Sequence, residues 1–316
     1  GSGVSPFMPV TSPSSLIATV GHAVLFIIRL PFFLAYAAVF FVVLHNLPLP
    51  AFARKLSIWL LLAIPGLWWV DLQLDGVRRG SLSQQPASRV PHPGSVIAAN
   101  STSPIDALYL AAVFDPIFVA SYPGSPRVRH ISLARAILTA LSRALQLNEI
   151  VGPFADGDVT DLPALMARHP DRVVAVFPEC GTTNGRGILP LSPCLLAVPA
   201  DRAIFPLSMR YTPPDVTTPV PGPKAWPAFL WKLLGRPTHC IRVRIAEGVY
   251  NTTQAPNGNS AAGAPAHDLI RDARTAEQQR LLDRVADALA RLGRAKRVAL
   301  TMRDKQAFVE AWEKRR

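Results

Sequence analysis

Residues 97–106 read IAANSTSPID, and residues 176–189 read VFPECGTTNGRGIL. In the first stretch an apolar run stops at Asn100, Ser101 follows, and Asp106 stands five positions beyond the serine. A carboxylate can accept a proton. Ser101 could serve as a nucleophile, although no base stands beside it in sequence. In the second stretch Glu179 is followed by Gly181, Thr182, Thr183, Asn184 and Arg186. Glycines permit close backbone approach to a ligand. Threonine hydroxyls and backbone N–H groups can hold phosphate oxygens, and Arg186 can grip them in a charge-assisted fork. An ordinary strand-to-helix turn is the plain alternative for such a glycine-rich stretch. Cys180 invites a nucleophile reading, but no histidine is placed beside it.

Both stretches need strand ends to present them. VIAA (96–99) reads as a short buried strand and PIDALYLAAVF (104–114) as a helix. PIFVASY (116–122) is strand-like, and ISLARAILTALSRAL (131–145) carries apolar residues at helical spacing. DLPALMARHP reads as a short helix, with Asp161 as N-cap and Pro163 near its start. DRVVAVFPE, AIFPLSMRY and CIRVRIAEGV read as further strands. Strands alternating with helices predict an α/β layer architecture. In such folds chemistry collects at the C-terminal ends of strands, which is where both polar stretches fall.

The chain is 49% hydrophobic and 17% charged, which is apolar for a soluble domain, and most of the excess lies in the first 75 residues. Residues 16–45 are interrupted by one formal charge, Arg29, and are long enough to cross a bilayer, with Pro31 predicting a bend. A signal peptide would want basic residues ahead of its apolar core, and none precedes Arg29. The run 57–70 is short for a span and reads as a re-entrant or interfacial helix ending at Trp68 and Trp69, with a buried core helix as the alternative. Arg54, Lys55, Arg78 and Arg79 flank it and favour a cytosolic side for the rest of the chain. The expected division is a membrane anchor over 1–79, a linker over 80–95 and an α/β domain over 96–250. A flexible loop over 251–266 and C-terminal helices over 267–316 complete it.

The formal charge is +12. Nucleic acid, an anionic membrane or phosphorylated ligands could each answer it. Zinc-finger spacing, an RNA-recognition signature and a basic arm are all missing, so a lipid surface is the better partner. Lys55, Arg78, Arg79, Arg127 and Arg129 are candidate contacts to it, or simply a solvated basic surface. Cys180, Cys194 and Cys240 have neither disulfide-framework nor metal-ligand spacing. No metal or bound cofactor is expected.

Phe177-Pro178-Glu179 followed by Thr182-Thr183-Asn184-Gly185-Arg186 resembles the Phe-Pro-Glu-Gly-Thr box of glycerophospholipid acyltransferases. Asn100 and Asp106 match that family's other hallmark, Asn-His-x-x-x-x-Asp, with Ser101 where histidine normally stands. VASYPGSPRVRHISLARAIL and AIFPLSMRY resemble the family's middle and fourth blocks, so the likeness covers roughly residues 95–215. Within the family the likeness is greatest to fungal lysophosphatidic acid acyltransferases that use oleoyl-CoA.

The resemblance implies an acyltransferase-like mixed α/β sheet flanked by helices, with membrane-embedded N-terminal helices. It implies acyl transfer from acyl-CoA, as co-substrate, to a lysophospholipid at the cytosolic face of the endoplasmic reticulum or a lipid droplet. It casts Glu179 as acceptor-positioning, Arg186 as phosphate-holding, and Asn100, Gly181, Thr182, Thr183 and Asn184 as supporting contacts. The catalytic histidine is the departure. Asp106 could act as base through a water held by Ser101, His130 of the middle block could enter the site, or Ser101 could accept the acyl group. In the remaining reading the chain has lost catalysis and binds lipid or acts as a scaffold. Cys180 stands where the family has glycine. Oligomeric state is not legible.

Overall fold

The computed structural model describes residues 3–77, 85–147, 159–254 and 267–315. Arg78, Arg79, the first part of the expected linker and most of the expected loop at 251–266 lie outside these residues. The architecture is mixed α/β: a nine-stranded mixed sheet flanked by helices, preceded by an apolar helix.

The strands are β1 (Trp69–Leu74), β2 (Val96–Ala99), β3 (Ile117–Tyr122), β4 (Ser125–Ile131), β5 (Val159–Thr160), β6 (Val174–Val176), β7 (Gly187–Ile188), β8 (Ala203–Thr212), β9 (Cys240–Ile245), β10 (Val249–Tyr250) and β11 (Lys296–Arg297). The large sheet runs β1-β9-β8-β2-β6-β3-β4-β5, with β10 on β8, while β7 and β11 pair separately. The central pairings β8–β2, β2–β6 and β6–β3 are parallel. The β8–β9, β3–β4 and β4–β5 pairings are antiparallel.

The helices are α1 (Leu16–Val42), α2 (Ala51–Ala63), α3 (Pro104–Phe114), α4 (Leu133–Leu141), α5 (Arg143–Leu147), α6 (Leu162–Arg168), α7 (Ala225–Gly235), α8 (His267–Gly293) and α9 (Met302–Lys314). Strand alternation divides the core. Ile97 and Ala99 join Phe205, Leu207, Met209, Ile241 and Val243 on the face covered by α3 and α4. Val96 and Ala98 join Val174, Val176 and Ile204 on the opposite face, against Leu195, Val285 and Leu289.

α1 is long and apolar enough to cross a membrane, and most of it is solvent-exposed. The helix runs through Pro31. It is not free of the domain. Arg29 donates to the carbonyl oxygens of Pro65 (3.4 Å), Leu234 (3.3 Å), Arg236 (2.5 Å) and Pro237 (3.0 Å), tying α1 to the ends of α2 and α7. Exposed Ile27 and Phe32 of α1, Phe52 and Leu60 of α2 and Trp226 and Trp231 of α7 leave a broad apolar surface around this junction. Patches of that kind mark membrane or partner contacts.

The interfacial helix expected to end at Trp68 and Trp69 is shorter. α2 stops at Ala63, and Trp69 opens β1, which pairs in parallel with β9. Pro65-Gly66 makes the break. Gly66 has φ +84, and a Cβ there would come within 2.6 Å of the Pro237 carbonyl oxygen. Only glycine tolerates both conditions. The segment expected to be anchor thus contributes a strand to the sheet.

Candidate active site

Asp106 is at the third position of α3, in the capping box that starts the helix. Its Oδ2 accepts the N–H of Thr102 (2.6 Å) and of Ser103 (2.9 Å). The Thr102 hydroxyl donates to it at 3.2 Å, and the Tyr211 hydroxyl of β8 donates to Oδ1. Burial raises its pKa to about 6, and the donors from Tyr211, Thr102 and Ser103 hold back the rise. Asp106 therefore holds the 101–103 turn in shape, and both its oxygens are engaged.

Glu179 closes the site from the other loop. Its Oε1 accepts the Ser101 N–H at 3.3 Å and its Oε2 accepts the Leu189 N–H at 3.0 Å. Burial pushes its pKa up to about 8. The two N–H donors and the charge of Lys305 work against the rise, and Asp106 adds to it. The acids of the two boxes thus contact the backbone N–H groups of consecutive residues, Ser101 and Thr102. The Thr183 N–H donates to the Ser101 carbonyl at 2.9 Å and locks the loops together.

Asn100 spends its amide on β8. Its Nδ2 donates to the Met209 carbonyl (3.0 Å), and its Oδ1 accepts the Met209 N–H (2.7 Å). Thr182 is buried, and its hydroxyl donates to the Thr218 carbonyl at 2.6 Å. Asn184 donates to the carbonyls of Ser5 (2.8 Å) and Met8 (2.9 Å), pinning the N-terminal segment. The Thr183 hydroxyl accepts from the Gly185 N–H. These side chains shape the loop. Arg186 is exposed.

A cleft of about 60 Å³ lies beside the loops, with Ser101, Ser103, Ala107, Cys180, Gly181 and Thr182 among its lining. The Ser101 hydroxyl has no protein partner among the described residues. Neither does the Gly181 N–H. Cys180 holds φ +60, the left-handed backbone for which glycine is suited. Although the residue is partly exposed at the cleft, its thiol is enclosed, and burial pushes its pKa up to about 12. A thiolate is therefore disfavoured.

His130 is elsewhere. On β4 it pairs opposite Val119, and its pKa is lowered by burial and then by His169 and Arg172, which flank the start of β6. It is absent from the cleft wall, while its neighbour Ile131 is part of it. β4 runs antiparallel to β3, so its alternation turns His130 away from Ser101.

α3 and α4 are walls shared by two spaces. Ala107, Ala136 and Ala140 face the cleft. Ile105, Leu108 and Ile137 face an apolar groove of about 430 Å³, closed by Phe33 and Phe41 of α1 and Phe229 of α7.

The sequence reading missed Lys305. It is fully buried on α9, and its Nζ donates to Gln146 Oε1 (2.5 Å), to the Thr182 carbonyl (2.7 Å) and to the Thr182 hydroxyl (3.1 Å). Three acceptors match the three N–H bonds of an ammonium, while burial pushes its pKa down to about 7 and Glu179 opposes that. Its signal was its place between Met302 and Val309 on the apolar stripe of α9.

The chain is 28% identical over 229 residues to a Schizosaccharomyces pombe protein provisionally named lysophosphatidic acid:oleoyl-CoA acyltransferase. The acyltransferase resemblance is borne out. The match covers 70% of this chain and 74% of the yeast relative. No family model matches. The acyltransferase likeness rests on this relative and on the order of the two boxes, with serine at 101 and cysteine at 180 as departures.

Proposed function

We propose that this chain transfers a long-chain acyl group from acyl-CoA to the free hydroxyl of lysophosphatidic acid, giving phosphatidic acid, at a membrane surface. The observation that carries the reading is the convergence of Asp106 and Glu179 on the Ser101–Thr102 turn, at the mouth of a cleft that shares its helical walls with an apolar groove.

In this reading the acyl chain lies in the groove and the thioester reaches the cleft past Ser103 and Ala107. The acceptor oxygen attacks the thioester carbonyl, the carbon–sulfur bond breaks, and the coenzyme A sulfur leaves and ends with the proton. The Gly181 N–H, lacking an acceptor among the described residues, suits the tetrahedral oxyanion. Glu179 keeps the Ser101 backbone in place, and Arg186 meets the acceptor phosphate. Imidazole is missing from position 101, so proton removal falls to a water beside Ser101, with the Asp106 carboxylate behind the Thr102 hydroxyl.

A second reading is favoured by the unassisted Ser101 hydroxyl: an acyltransferase-fold protein with little or no turnover that binds lipid. Labelled acyl transfer from oleoyl-CoA into phosphatidic acid by the purified full chain in detergent separates the two. Product above an empty-membrane control, lost in Asp106→Ala, is expected for the enzyme. Product equal to that control sinks the enzyme reading.

A further inference from the structure

The face of the sheet under α8 carries charge that the acyl-transfer site does not explain. On β8 the alternation that sends Leu207, Met209 and Tyr211 towards α3 sends Ser208 and Arg210 the other way. On β9 it does the same for Arg242 and Arg244. Antiparallel pairing sets Arg210 directly opposite Arg242, and Ser208 opposite Arg244. Like charges directly opposite across strands destabilise a sheet. Arg294, at φ +48 just beyond the end of α8, joins them, and the charge of Arg186 from the site loop acts on Arg210.

Little nearby answers these charges. Asp71 reaches Arg242 at 4.0 Å, and Arg244 donates to the Leu292 carbonyl at 3.3 Å. Among the described residues no carboxylate lies within ion-pair distance of Arg186, Arg210, Arg244 or Arg294. The α8 C-terminus offers only its dipole. Burial, then Arg244, Arg294, Arg242 and Arg186 in turn, hold Arg210 below the ordinary arginine pKa.

A second observation points to a ligand. Arg210, Arg242, Arg244 and Arg294 line a small cavity of about 20 Å³, and Ser208 lies in its wall. Ser208 is 98% buried, and its hydroxyl has no hydrogen-bond partner among the described residues. Buried hydroxyls rarely stay unsatisfied. Gly293 leaves the space above it open, since a Cβ there would stand 3.0 Å from the Ser208 oxygen.

We propose that Arg210, Arg242, Arg244 and Arg294 form a binding site for a phosphoryl group, with the Ser208 hydroxyl as a neutral donor at its floor. Guanidinium forks match phosphate oxygens in pairs, and a bound dianion converts the cross-strand repulsion into attraction. The acyl-transfer loop is near enough for the charge of its Arg186 to act on Arg210. The phosphoryl group comes either from the nucleotide end of coenzyme A or from the headgroup of an anionic phospholipid.

The test uses the full chain in a neutral detergent. Free coenzyme A and dihexanoyl phosphatidic acid are titrated calorimetrically into wild type, into an Arg210→Gln/Arg242→Gln variant and into the corresponding double lysine variant. The expected result is salt-sensitive binding of at least one ligand by wild type, at least tenfold weakening in the glutamine variant, and partial recovery with lysine. Loss confined to coenzyme A assigns the nucleotide, and loss confined to phosphatidic acid assigns the headgroup. No binding to wild type, or weakening below threefold for both ligands, overturns the site. Ligand-free Arg210→Gln should melt no lower than wild type at low salt, because it relieves repulsion. A lower melting temperature would show that Arg210 serves the fold and would also overturn the proposal. Binding is read without turnover, so the result stands apart from whether the chain acylates anything.

Discussion

The Nζ of Lys305, on the last helix, stands 2.7 Å from the carbonyl oxygen of Thr182, in the loop that follows β6. A residue near the end of the chain thus braces the loop whose glutamate holds Ser101. Lys305→Met keeps the length of the side chain and strips the donors from Thr182 and Gln146. Leaving those buried acceptors unpaired should cost about 3 kcal/mol. Thermal or denaturant melting in detergent measures this, and a loss below about 1 kcal/mol would rule out the brace.

Glu179 predicts a pH signature. Its pKa rises on folding from an ordinary 4.5 to about 8, so the native state holds the proton more tightly than the unfolded chain. Its contribution to stability is complete below about 4.5 and is lost as pH rises through about 8. Lys305, lowered to about 7, has the opposite sign: its contribution is present above the ordinary lysine value and is lost as pH falls through about 7. Glu179→Gln isolates the first effect. Relative to wild type the variant should gain more than about 1 kcal/mol between pH 6 and pH 9. Parallel melting curves across that range would contradict the assignment.

Asp106 and Tyr211 should be energetically coupled. Asp106→Asn weakens the capping box of α3 and should cost about 1–2 kcal/mol. Tyr211→Phe should cost about 1 kcal/mol through loss of its hydroxyl contact. The double variant should fall short of the sum by about 1 kcal/mol, read from chemical denaturation of all four proteins.

Ser101→His tests whether the remainder of the site is intact. Position 101 lines the cleft and its side chain makes no hydrogen bond to the described residues, so stability should change by less than about 1 kcal/mol. An imidazole there supplies a base that titrates near neutrality, and acyl transfer should rise at least tenfold. An unchanged rate in a folded variant would mean that position 101 does not face the acceptor.

The short-range features were legible in the residues themselves. Pro104 through Phe114 form the helix that the sequence predicts, and the VIAA strand ends at Ala99, where its apolar run gives way to Asn100. The two polar boxes could be recognised because both follow strand ends, where backbone groups are free to present side chains. The middle block is less legible. β4 reads SPRVRHI, whose arginines and histidine obscure the period-2 signal of an edge-side strand. β1 was hidden by the two tryptophans that continue the preceding apolar run.

Roles of individual polar side chains were not legible, because a sequence states which groups exist and not which acceptors they meet. Asn100, Thr182 and Asn184 turn inward to Met209, Thr218 and the Ser5–Met8 segment. Their partners are distant in sequence, and only chain closure brings them within 3 Å. Lys305 reaches the site because α9 packs back over the Thr182 loop, and Arg210 meets Arg242 because β8 and β9 pair in one register out of many. Local propensity and alternation specify strands, helices and their buried faces. The meeting of charges from different elements is set by the register and packing of the whole fold.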